Sequence, residues 1–124
     1  MLQFRCVHKL RRTQFPEGQN ALIVVMNRIP VKPEFAQRIE EGFANNAPGL
    51  TELKGFQGFR LLRPLKDGDP YVVYVSWDSE EDYQAYMGSE LFKQSHSNMA
   101  DLANAFNGPP SLEKYVIANE VMAP

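Results

Sequence analysis

One histidine of this chain stands where an imidazole can do chemistry. His96 closes the stretch "YQAYMGSELFKQSH" and follows Phe92 by one helical turn, so the phenyl ring helps set the wall behind it. It reads either as a ligand or as a surface residue at a helix end. A single imidazole is far too little for zinc, which takes three or four protein ligands. It is enough for haem, whose porphyrin already supplies four nitrogens. Tyr83, Tyr86, Met87 and, just upstream, Trp77 surround the same segment. They are either core packing or a flat apolar slot for a planar ligand. Asn27 is the second candidate. It ends an apolar, β-branched run in which asparagine is out of place, so its amide is either bonded to backbone or aimed into a pocket.

Other chemistries have little to stand on. "GFQGFR" has glycines but no helix opening behind it, so it is not a phosphate loop, and no nucleophile elbow or paired-histidine motif occurs. Asp67 and Asp69 flank Gly68 and suit a turn better than acid–base work. Arg28, Arg60, Arg63 and Lys66 are available to ligand carboxylates, most of them as solvated charges. A net charge of −2 gives no reason to expect nucleic acid. No run approaches the roughly 18 apolar residues of a membrane span. The single cysteine, Cys6, excludes an internal disulfide framework and points to the cytoplasm. Residues 1–20, which include His8, carry four Arg/Lys against one Glu and are expected to be an extension outside the fold, leaving one domain over 21–124.

The elements that must position these residues alternate clearly. "ALIVVMNRIPV" predicts a strand, and "PEFAQRIEEGFAN" places Phe35, Ile39 and Phe43 on one side of a helix. "GFQGFRLLRPL", a compact turn at "KDGD" and "PYVVYVSW" predict a hairpin. "DSEEDYQAYM" opens a helix capped by Asp78 or Ser79. Gly88 interrupts it, and Ser89 restarts a helix that runs to Phe106. "LEKYVIANEVM" predicts a last strand. The order βαββαβ is that of an α+β, ferredoxin-like fold. Both faces of the predicted sheet are apolar: Tyr71, Val73, Val75 and Trp77 point one way, Val72 and Tyr74 the other. Two helical segments cover only one face, so a second copy packed sheet to sheet is expected, giving a homodimer.

The segment "GFQGFRLLRPLKDGDPYVVYVSWDSEEDYQAYMGSELFKQSH" resembles the signature half of the IsdG-type haem-degrading monooxygenases, within the antibiotic biosynthesis monooxygenase superfamily. The resemblance covers about residues 21–121. It implies a dimeric α/β-barrel that opens haem with dioxygen and an external electron donor, haem being both substrate and cofactor, to release iron. It implies catalytic roles for Asn27, Tyr86 and His96. His96 is then the haem-iron ligand, and Asn27, Tyr86, Phe92 and Trp77 are further haem contacts. The family carries a tryptophan ten residues before the histidine. Tyr86 stands there in this chain, smaller and with a hydroxyl added. Two alternatives come from other classes: a cofactor-free monooxygenase of small phenols or quinols, and a haem-binding dimer without catalysis.

Overall fold

The computed structural model describes residues 22–124; the expected extension over residues 1–20, with Cys6 and His8, lies outside the described residues. Strand β1 (Ile23–Ile29) leads through a 3-10 turn (Pro33–Phe35) into helix α1 (Ala36–Asn46). A second 3-10 turn (Ala47–Glu52) precedes β2 (Phe56–Leu62) and β3 (Tyr71–Trp77). Helices α2 (Glu80–Met87) and α3 (Glu90–Asn98), a 3-10 segment (Ala100–Ala105) and β4 (Ser111–Val116) complete the order. The strands form one open antiparallel sheet in the order β2-β3-β1-β4. This is the expected βαββαβ arrangement.

Local signals place most boundaries. Pro33 occupies the first turn of the segment leading into α1, where its missing N–H costs nothing. The Ser79 hydroxyl accepts from the Asp82 N–H at 3.1 Å, and Glu80, Glu81 and Asp82 fill the positive first turn of α2. The Ser89 hydroxyl caps α3 in the same way, at 3.2 Å from the Phe92 N–H. Gly55, with φ +83, turns the chain into β2; an added Cβ would lie 2.1 Å from the Asp82 carboxylate.

Three expectations need correction. The helix restarted at Ser89 ends at Asn98 rather than Phe106, and the chain tightens into a 3-10 segment kinked at Leu102. Serine and asparagine compete with helical backbone bonds, and the Asn98 amide reaches Asn46 on α1 at 3.1 Å. The last strand ends at Val116 rather than Met122. Pairing with β1 ends at Ile23 opposite Val116, and the Ile117 N–H bonds the carbonyl of Leu22, the first described residue. "KDGD" forms a turn, with Asp69 N–H on Lys66 O and Gly68 at φ +96, but at the tip of a loop over residues 63–70 rather than a tight hairpin.

The helices cover one face of the sheet, and the core beneath them falls into two clusters. One gathers Ile29, Val31, Ile39, Tyr71, Leu102 and Ala105. The other gathers Ile23, Val25, Leu50, Trp77 and Tyr83. On the opposite face lie Val24, Met26, Val72, Tyr74, Tyr115 and Leu62, with Tyr115 51% and Leu62 41% exposed.

Candidate functional site

β1 alternates Ile23, Val25, Asn27 and Ile29 on the helix-covered side. Val25 belongs to one core cluster and Ile29 to the other, so Asn27 stands at the seam between them. It lies opposite Val73 on one side and Leu112 on the other. Its side-chain oxygen is buried and has no hydrogen-bond partner among the described residues. The backbone-bonded reading of Asn27 is therefore not what that oxygen does. A buried side-chain oxygen left unsatisfied costs about 1–3 kcal/mol.

Trp77 closes β3 and is fully buried, its indole N–H without a partner among the described residues. From it a run of rings leads outward. Tyr86 of α2 stacks on Trp77 at 5.2 Å and 28°. Phe92 of α3 meets Tyr86 edge-on at 5.3 Å, and His96 lies 4.1 Å from Phe92. The Ser89 cap fixes this passage, because its hydroxyl donates to the Tyr86 carbonyl at 2.7 Å while accepting from Phe92. Burial raises the Tyr86 phenol above its ordinary pKa, with Tyr83 adding to the effect. The phenol is therefore neutral at physiological pH.

His96 is exposed on α3, and its Nδ1 lies 3.1 Å from the Phe92 carbonyl. A carbonyl only accepts, so Nδ1 carries the hydrogen in this bond. The neutral ring is thereby left with its lone pair on Nε2, the form a metal requires. Carbonyl-to-Nδ1 fixing of this kind also holds the ring's direction.

The structure thus joins Trp77, Tyr86, Phe92 and His96 in one aromatic run and sets Asn27 apart from it at the core seam. It does not bring Asn27 and His96 to a common cavity. The two cavities described lie elsewhere: one between α1 and the β2–β3 edge, the other between α1 and α3. The basic candidates divide. Arg28 pairs with Glu113 at 3.3 Å and Arg60 lies over Tyr74, both on the uncovered face, whereas Arg63 reaches the covered side. Sequence reading missed the partner of Arg63. Glu40 of α1 accepts from Arg63 Nε at 2.7 Å and Nη2 at 2.8 Å, and from the buried Tyr71 hydroxyl. Arg63 and then Tyr71 hold the Glu40 carboxyl at about 2. The only available signal was the placement of Glu40 directly after core residue Ile39, which no motif marks. Among the described residues no three His, Cys, Asp or Glu side chains converge on a bare metal ion.

The aromatic run that ends at His96 and the unpaired Asn27 oxygen at the core seam are thus two separate features of the covered side. Residues 22–98 match the family model described as antibiotic biosynthesis monooxygenase, and the chain belongs to that family. It is 30% identical over 104 residues to a staphylobilin-producing haem oxygenase of Staphylococcus epidermidis, covering 82% of this chain and 95% of the relative. It is 38% identical over 64 residues to the mycobilin-producing haem oxygenase of Mycobacterium tuberculosis, over 52% of this chain and 61% of that protein. The fold superimposes on the M. tuberculosis haem-degrader MhuD, solved with two haems in its active site. The TM-score is 0.62 at 28% identity, with 81% of this chain and 99% of the other covered.

Proposed function

We propose that this protein is a haem-degrading monooxygenase. The observation that carries the reading is His96, its Nδ1 tied to the Phe92 carbonyl and its Nε2 left for iron. The relatives named as haem oxygenases support it. The donor set suits haem: one nitrogen ligand is what a porphyrin leaves open, and Asn27 offers a side-chain oxygen with no partner among the described residues.

Haem, once bound, supplies the iron that activates dioxygen and is itself the substrate consumed. His96 holds and orients it through Nε2. Binding that brought Asn27 and His96 to one ligand would let the Asn27 amide, whose oxygen and nitrogen exchange places by a half-turn of the side chain, donate to dioxygen and direct oxidation. Tyr86, backed by Trp77, forms the wall that shapes the ring, and Phe92 keeps His96 in place. Dioxygen and an external reductant complete the reaction.

The domain over residues 21–124, with residues 1–20 as an extension, acts as a homodimer closed by the apolar uncovered faces. A cytoplasmic location and no nucleic-acid partner complete the proposal. No helix among the described residues is long and apolar enough to cross a membrane.

The test is a haemin titration of the wild type and of His96→Ala, followed through the Soret band, then reductant and oxygen. Saturable binding near one haem per chain, an altered iron spectrum in His96→Ala and loss of the Soret band on turnover are expected. Specific binding with no ring-opened product would reduce the protein to a haem binder. No specific binding would remove haem and return the cofactor-free reading.

A further inference from the structure

The cavity between α1 and the β2–β3 edge has a volume of about 440 Å³ and lies outside the proposed haem contacts. Its walls are Phe43, Ala44, Phe59 and Leu61, with Phe43 and Phe59 stacked at 5.9 Å and 30°. Its polar rim is the Glu40, Arg63 and Tyr71 group. Volumes of roughly 300–1,000 Å³ with apolar walls and a few placed polar groups are typical of small-molecule sites.

The rim specifies what fits. Glu40 Oε2 accepts from both Arg63 Nε and Tyr71, whereas Oε1 accepts only from Arg63 Nη2 among the described residues. A carboxylate oxygen has two lone pairs, so Oε1 retains an acceptor site. Arg63 has five N–H groups, and two are engaged among the described residues. A free acceptor therefore lies beside free donors, on an ion pair with no net charge. An anion meets the Glu40 carboxylate and a cation meets the guanidinium. A neutral planar ring with N–H and C=O side by side satisfies both.

The cavity's place in the sheet links it to the proposed chemistry. Leu61 on its wall is opposite Val73, and Val73 is opposite Asn27. Two strand spacings put that wall roughly 10 Å from Asn27, in the same cross-sheet row. We propose that this cavity binds the lactam end of a ring-opened tetrapyrrole. The inference rests on the haem-opening reading: oxygen placed on the pyrrole carbons beside a cleaved meso bridge converts those rings to lactams, which present N–H and C=O together. The ring lies against the stacked Phe43–Phe59 pair, Glu40 Oε1 accepts its N–H, and Arg63 donates to its carbonyl.

The test uses the full chain without haem, titrated calorimetrically with a neutral dipyrrinone ester, a two-ring lactam, and with its N-methyl-lactam counterpart. Saturable binding at one site per chain is expected, at least tenfold weaker for the N-methylated compound. Ala44→Phe, which fills the cavity, should weaken the dipyrrinone at least tenfold. Arg63→Lys, which keeps the charge and loses the fork, should weaken it at least fivefold, and both variants should keep wild-type haemin titrations. Equal affinity for the two probes, or wild-type affinity in both variants, overturns the proposal. Haem opening without dipyrrinone binding sinks the cavity's role alone. Lactam binding with the expected dependence, in a protein that does not open haem, sustains the cavity's recognition chemistry and sinks the reading on which its link to product rests.

Discussion

At the α1 end of the covered face, Glu40 accepts from Arg63 and Tyr71, whereas the Trp77 indole N–H at the α2 end and the Asn27 side-chain oxygen at the seam are buried without partners among the described residues. The two core clusters differ in composition as well as bonding. One is aliphatic, with a charged group closing its edge; the other is built on stacked rings around a fully buried tryptophan. A closed polar group adds to stability and fixes α1 on β3. An open one lowers stability and is retained where a ligand completes it. The contrast separates a polar group paired within the chain, with an acceptor and donors to spare at its rim, from buried polar atoms that have no partner among the described residues.

The largest expected effect lies in the aromatic cluster. Trp77→Ala should lower unfolding free energy by about 3–5 kcal/mol in denaturant titrations, because it empties the most enclosed site of that cluster. A loss under about 1 kcal/mol would mean that the rings do not act as a packed unit. Tyr71→Phe should cost less, about 1–2 kcal/mol, by removing one donor to Glu40 from a charged group with two others. Asn27→Leu should do the opposite. It should raise stability by about 1 kcal/mol, since an orphaned oxygen is replaced by apolar surface, while haem turnover falls at least tenfold. A destabilised Asn27→Leu protein would show that the amide serves the fold and would erase the contrast. The smallest effect concerns acid. Glu40 is held at about 2 against an ordinary 4.5, so its stabilisation is present above 4.5 and is lost as the pH falls toward 2. Melting temperatures measured across that window should fall more steeply in the wild type than in Glu40→Gln.

Element order was legible because β1 and β3 are short β-branched runs and two helix starts carry their own caps, at Ser79 and Ser89. Helix and strand ends were harder. Where α3 stops depends on Asn98 finding Asn46 across the fold, and where β4 stops depends on how far β1 pairs with it. Among the candidate site residues, the contact of His96 with Phe92 was readable because they are neighbours on one helix, and the oddity of Asn27 because it breaks an apolar pattern. That Tyr86 would stack on Trp77 could be suspected from proximity in sequence. The meeting of Glu40 with Arg63 and Tyr71 joins three elements separated by 23 and 31 residues, a convergence that only the sheet order produces.

The covered and uncovered faces of the sheet carry one further consequence. In the proposed dimer the uncovered faces meet, so His96 of each subunit looks outward, with two sheets about 10 Å apart lying between the helical layers. In such a dimer no described element would pack against both sites at once, and each haem would meet its own subunit's helices. Two sites separated in this way have no shared moving part through which occupancy of one could be felt by the other. Haemin should therefore load the dimer as two independent ligands, with a Hill coefficient of about one.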